Sequence, residues 1–204
     1  LVSASEVTSE PLNVIVLTGD FTSINPAFKP FGEKERAFLE KIIQAKNPKN
    51  TIRVLDVAPY FYAYLKDSPN LKSSYTPYTL LRLFMDKIPD LPGKILYLDA
   101  DTIVMKDLAR LYAIDVSGKE LAWVRDAYGR FFIGPNYCNA GVLLLNLPEL
   151  KENQVFEQCL TRLNKKHYAF PDQDVLNKFT KGHKLYLPRE FNEQTHLQPT
   201  TVVR

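Results

Sequence analysis

Residues 94–105 read KILYLDADTIVM, an apolar run that breaks into two carboxylates one residue apart, Asp99 and Asp101, and then turns apolar again. Two anions that close repel each other, and each loses hydration if its strand lies in a core. A cation at that point would offset both costs. KILYL reads as a buried strand, and in α/β sheets ligands bind beyond the carboxyl ends of strands, which is where the pair falls. Residues two apart on a strand share a face, so the two side chains are expected to point the same way. Oxygen-only ligands favour Mg²⁺ or Mn²⁺, ions that commonly bridge a protein to substrate phosphates. The opposing reading is two acids in a surface turn. A D-x-D alone is weak evidence, but surface turns rarely carry such apolar shoulders.

Upstream of the pair, Thr76 is placed to cap a helix that has Pro77 at its first position. Tyr78, Leu81, Met85 and Ile88 then recur at helical spacing until Pro89. Earlier still, LNVIVLT (12–18) reads as a buried strand ending at Gly19-Asp20. An amphipathic helix follows over 33–45, then a second strand, TIRVLDV (51–57). The aromatic stretch APYFYAYLKDSPNL, with prolines near both ends, reads as an irregular excursion. Downstream, LAWV (121–124), VLLLN (142–146) and LYLP (185–188) read as strands. Helices are expected over about 148–165 and about 171–180, the second ending near Gly182. Strands alternate with helices, and several strands are apolar on both faces. The pattern predicts one α/β domain over 1–204 with a mixed, largely parallel central sheet flanked by helices.

The composition restricts the function classes. Net charge is +3 with 24% charged residues, too mild for nucleic acid, and no arginine-rich stripe interleaves with aromatics. The densest basic stretch, Lys165 to Arg189, reads mostly as a solvated face, with a phosphate- or membrane-facing role as the alternative. Cys138 and Cys159, the two cysteines, have no metal spacing and sit in apolar surroundings, so both are expected to be buried thiols in a reducing compartment. No run approaches the ~20 apolar residues of a membrane span, and the first residues do not read as a signal peptide. LVSASEVTSEP resembles the second half of an amphipathic helix.

Three further stretches carry a family signal together with YLDAD: YTLLRL (78–83), CNAGVLLLNL (138–147) and PDQDVLN (171–177), the last followed by LPREFN (187–192). Their order and spacing resemble glycosyltransferase family 8, retaining α-glycosyltransferases with a GT-A fold, among them the bacterial lipopolysaccharide-type galactosyl- and glucosyltransferases and the glycogenin group. The resemblance implies that Asp99 and Asp101 bind Mn²⁺ or Mg²⁺, with the Ala100 backbone near the ribose of a UDP-sugar. It implies that Arg82 faces the donor diphosphate, and that Asn139, Ala140 and Gly141 contact the sugar. Without it, Arg82 is a helix arginine near a core stripe where a cation needs an anionic partner, and N-A-G is a strand-entry turn. Gln173 would face the reactive carbon, and Asp172 would bond the sugar hydroxyls; read alone, Asp172 is a helix N-cap. Asp126 falls where the family carries a strand-end acid near the acceptor.

In the family a strand with an acidic loop opens the domain, and an H-x-x-G-x-x-K-P-W segment closes it. The first residues here match the helix after that strand, and VVR falls where the closing segment starts. The chain is therefore expected to be the interior of a longer enzyme, binding donor poorly alone. His196 does not match the family's metal ligand, and His167 and His183 read as surface residues.

The implied activity moves a hexose, galactose or glucose, from a UDP-sugar to a glycan or other hydroxyl acceptor. It is expected in the cytoplasm, free or peripherally held at the inner face of a membrane, with no nucleic-acid partner. Aromatics at Tyr60–Tyr64 and Tyr128–Tyr137 are candidates for stacking on acceptor sugars. One rival is a haloacid-dehalogenase-like Mg²⁺-dependent phosphatase. It fits poorly, because Ile103 holds the fifth motif position, no Gly follows the pair and the motif lies mid-chain. The other is a catalytically degenerate carbohydrate-binding module, which has no need of the whole residue set.

Overall fold

Apolar runs, helix caps and prolines divide the chain into short elements. In this computed structural model, which describes residues 1–72, 75–180 and 182–204, they follow in the order α1 (Val2–Val7), β1 (Asn13–Thr18), α2 (Glu33–Gln44), β2 (Thr51–Asp56) and α3 (Ala58–Leu65). Two 3₁₀ segments come next, Pro69–Lys72 and Pro77–Lys87, then β3 (Lys94–Leu98), α4 (Ala109–Tyr112), β4 (Leu121–Arg125) and α5 (Gly129–Phe132). The remainder is β5 (Cys138–Asn146), α6 (Leu147–Glu152), α7 (Val155–Leu163), α8 (Pro171–Phe179) and β6 (Lys184–Leu187). These elements gather into two compact units, one of Leu1–Glu10, Pro92–Val155 and Leu176–Arg204, the other of Pro11–Leu91 and Phe156–Val175.

The second of these units is built on β1 and β2, which pair in parallel from Asn13↔Thr51 to Thr18↔Asp56. The β-branched residues that predict these strands do form them, although β1 is only half-buried. The aromatic stretch is not irregular. Its prolines mislead, because Pro59 lies in the first turn of α3, where a missing N–H costs nothing. Asp56 accepts from the Ala58 N–H at 2.9 Å to start the helix. Phe61 and Leu65, one turn apart, are then fully buried, and Phe61 meets Phe21 edge-on at 4.6 Å. Of the Tyr60–Tyr64 aromatics, Phe61 packs into the core, Tyr60 and Tyr62 are half-buried and Tyr64 is exposed. The segment predicted as a helix over 77–88 has Thr76 and Pro77 where expected, but it winds as a 3₁₀ helix. Leu80 to Met85 are buried without interruption, so it is enclosed on every side rather than amphipathic.

The other unit holds a four-stranded sheet in the order β3-β5-β4-β6. β5 runs antiparallel to both β3 and β4, while β4 and β6 are parallel. Pairing among the described strands is thus evenly divided, not largely parallel: β5 follows β4 through a short connection and returns against it. Trp123, Leu121 and Leu143 are fully buried at its centre. The helix expected over 148–165 is two, separated where Gln154 takes a φ of 53°. No described helix is long and apolar enough to cross a membrane.

Candidate functional site

Asp99 follows the last residue of β3, and its N–H donates to the Gly141 carbonyl at 2.8 Å, carrying the β3–β5 ladder one step past the strand. There the chain turns. The Asp99 carbonyl accepts from the Thr102 N–H at 3.1 Å and from Thr102 Oγ1 at 2.8 Å. Asp101 therefore lies in a turn, exposed, so strand alternation does not orient it as the sequence pattern suggested. Alternation does hold between Tyr97 and Asp99: the tyrosine hydroxyl meets Asp99 Oδ1 at 2.8 Å. The turn is fixed on its far side too, where Ile103 and Arg204 exchange backbone hydrogen bonds and Val104 bridges Val203.

N-A-G is not a strand-entry turn but part of β5 itself, where Cys138 pairs with Arg125. Asn177 clamps that strand start, accepting from Cys138 N–H and donating to its carbonyl, each at 2.8 Å. Burial pushes the Cys138 thiol up to about 12, so it is an inert buried thiol, and Cys159 is buried likewise. Asn139 Oδ1 accepts from the Gly141 N–H and from Asn192 Nδ2, both at 2.9 Å, while its Nδ2 donates to Asp126 Oδ2 at 3.1 Å. The other Asp126 oxygen accepts from the N–H groups of Tyr128 and Gly129, at 3.0 and 2.7 Å. Both oxygens of Asp126 thus organise the loop that follows β4.

Gly141 leaves a gap. A Cβ there would lie 3.0 Å from Asn139 Oδ1 and 3.2 Å from Asp99 Oδ2, both tight. Carboxylate and amide oxygens thus converge on a spot that only glycine keeps open. The donor chemistry is all oxygen, which fits Mg²⁺ or Mn²⁺ and does not fit a soft-metal site. Among the described residues no third His, Cys, Asp or Glu joins the pair. His167, His183 and His196 are all exposed.

In the other unit Arg82 and Asp172 form a buried ion pair, Nε to Oδ2 at 3.3 Å, with side chains 3% and 10% exposed. The anionic partner that the sequence demanded for Arg82 is Asp172. The guanidinium also donates to the Thr79 carbonyl at 3.0 Å. Asp172 is not the N-cap of α8; it stands in the first turn behind Pro171 and faces Arg82, while Asp174 reaches back to the Phe170 N–H. Gln173 follows it, half-buried.

The model of glycosyl transferase family 8 matches residues 21–201. The chain belongs to glycosyl transferase family 8. Every residue of the candidate site falls inside the matched stretch. The chain is 31% identical over 125 residues to the probable glycosyl transferase Gly of Streptococcus gordonii, a match covering 60% of this chain and 18% of that protein. It is 36% identical over 112 residues to the lipopolysaccharide 1,2-glucosyltransferase of Escherichia coli K12, covering 48% of this chain and 33% of that protein. It thus spans about a fifth and a third of these relatives. The crystal structure of apo GlyE of Streptococcus pneumoniae TIGR4 superposes with a TM-score of 0.73 at 21% identity, over 99% of this chain and 48% of GlyE. The galactosyltransferase LgtC, solved with donor and acceptor sugar analogues, gives 0.66 at 23%, over 88% of this chain and 74% of LgtC. The fold is therefore GT-A, and family membership sets the phosphatase reading aside.

Three residues of the site escaped the sequence reading. Tyr97, Asn177 and Asn192 all lie inside the family-8 stretches YLDAD, PDQDVLN and LPREFN, which is the signal that could have found them. Asn192 is 5% exposed, and a buried amide must find partners.

Proposed function

We propose that this chain catalyses metal-dependent, retaining transfer of a hexose, galactose or glucose, from a UDP-sugar to a glycan or other hydroxyl acceptor, in the cytoplasm or at the inner face of a membrane. The observation that carries the reading is the Asp99–Asp101 turn at the end of β3, with Gly141 open beside it. Asp99 and Asp101 would hold Mn²⁺ or Mg²⁺. When bound, such an ion supplies a Lewis acid that stabilises charge on a departing diphosphate. The chain's own residues do the rest. The Tyr97 hydroxyl keeps one oxygen of Asp99 fixed and leaves the other on the Gly141 side. Asn139, held by Gly141 N–H and Asn192, keeps the gap polar and in place, so sugar hydroxyls meet donors and acceptors that need no reorganisation.

Arg82 and Gln173 keep the parts the family resemblance gives them, while Asp172, expected on the sugar hydroxyls, is paired with Arg82. Arg82 supplies a cation for the diphosphate, its guanidinium steadied by Asp172 and the Thr79 carbonyl. Gln173 offers a neutral amide oxygen to a cationic sugar without a competing full charge. The names of the relatives favour hexosyl transfer.

The test is release of UDP from UDP-galactose and UDP-glucose by the full-length protein. Turnover with Mn²⁺ that is lost in Asp101→Asn, with the far-UV spectrum unchanged, supports the reading. Retained turnover in that variant, or Mg²⁺-dependent cleavage of a phosphomonoester with no action on either sugar nucleotide, contradicts it.

A further inference from the structure

The loop that leaves β4 ends in a tip that no described residue covers. Phe131, Phe132 and Ile133 are 71%, 84% and 55% exposed, and Tyr128 beside them is 64% exposed. Four large apolar side chains held in water on eleven residues are not scattered surface residues but a patch, and such patches mark interaction sites. The base of the loop is rigid. Asp126 closes it from below through Tyr128 N–H, Gly129 N–H and Asn139. Gly129 lies so tight against the Tyr137 ring that there is no room for a Cβ. The tip is therefore built outward on an ordered support rather than merely failing to find a core.

Its shape and charge select the partner. Phe131 and Phe132 are consecutive on α5 and Ile133 follows, so each side chain is turned by roughly 100° from the one before and the three point in different directions. A sugar or a protein groove covers one face; three directions at once call for a medium that is apolar all round the tip. One face of Phe131 is already taken by the Arg130 guanidinium, 4.5 Å above the ring, which leaves a poor stacking platform. Arg125 and Arg130 flank the tip, both exposed, and line an open depression with Phe131, Pro135 and Asn136. The only acid between Arg125 and Tyr137 is Asp126, whose oxygens are already engaged at the base. An apolar wedge collared by arginines matches the boundary of an anionic bilayer, where aromatic rings sit at headgroup depth and guanidinium groups meet lipid phosphates.

We propose that the 127–137 loop is a membrane-docking wedge that inserts Phe131, Phe132 and Ile133 into the interface of an anionic lipid surface. The proposal is independent of the reaction assigned above.

The test uses the full-length protein with vesicles of phosphatidylglycerol and phosphatidylethanolamine, against vesicles of phosphatidylcholine alone. Flotation is expected with the anionic vesicles, falling about 100-fold in partition coefficient for Phe131→Ser/Phe132→Ser. For Arg125→Gln/Arg130→Gln, a loss of about 30-fold confined to the anionic vesicles is expected. Trp123 is the sole tryptophan of residues 1–204 and is fully buried, so the emission of Phe132→Trp minus that of the parent reports on the tip. Its emission should move to the blue with anionic vesicles and be quenched by brominated acyl chains. Flotation unchanged in the Phe pair, with both variants melting like the parent, overturns the proposal. So does a Phe132→Trp emission already blue and insensitive to vesicles, which means that a protein segment or a second copy covers the tip.

Discussion

Asn139 is the residue on which most of the first unit's site converges. Its amide accepts from Gly141 and Asn192 and donates to Asp126, so a single side chain sets the gap beside Asp99 and anchors the loop after β4. Gly141→Ala tests that arrangement. The new methyl would press on Asn139 Oδ1 and Asp99 Oδ2, and neither can yield without losing hydrogen bonds it already makes. The expected result is a loss of about 1–3 kcal/mol in stability by denaturant titration, with weakened UDP binding. An unchanged midpoint and unchanged affinity would mean the gap is not held as described. Arg82 gives a second residue-scale prediction. Removing it as Arg82→Ala leaves Asp172 buried without its cation, which should cost about 3–5 kcal/mol. Asp172→Asn in the Arg82→Ala background should recover part of that loss. If the double variant is as unstable as the sum of the two single ones, the pair is not coupled.

Among the elements, strands were the most legible because their signal is local. KILYL, LNVIVL and LAWV are apolar and β-branched, and each became a strand. The failures are equally physical. Prolines in APYFYAYL suggested disruption, yet Pro59 falls where a helix tolerates it best. Asn139 and Gly141 are poor strand formers, and a ladder that pairs β5 with β3 and β4 overrides that preference. The same-face argument for Asp99 and Asp101 failed because Thr102 captures the Asp99 carbonyl and bends the chain first. Asn192 acts 53 residues away from its partner, and no local pattern announces such a contact. The basic stretch is mostly a solvated face, with Lys181 outside the described residues; Lys184 is the exception, drawn over the Trp123 ring at 5.2 Å and its pKa pulled down by burial.

At the edge of β4, Glu120 is 3% exposed, its Oε1 bonded to Asn153 at 3.0 Å and its Oε2 without a hydrogen-bond partner among the described residues. Burial raises its pKa, against the smaller opposing pull of the Asn153 hydrogen bond. A raised folded pKa means that the native state holds the proton longer. Its stabilising contribution is complete below the unfolded value, about 4.3, and is lost as pH rises through the folded value. Glu120→Gln should therefore melt higher than the parent at pH 7 and lose part of the parent's decline above pH of about 4. Parallel melting curves for the two proteins across that range would contradict the assignment.

On the scale of the whole molecule, family membership rests on residues 21–201. The residues singled out by the family resemblance fall in both units, Asp99, Asp101, Asp126 and Asn139–Gly141 in one and Arg82, Asp172 and Gln173 in the other. The central claim is that the interrupted strand at 94–105 ends in carboxylates that hold an ion for a nucleotide diphosphate. Calorimetric titration of UDP into the full-length protein, once with Mn²⁺ and once with EDTA, tests it most directly. Binding that appears with Mn²⁺ and vanishes both with EDTA and in Asp101→Asn is the predicted result. A folded protein that binds UDP equally well with and without the metal, or not at all, would contradict it.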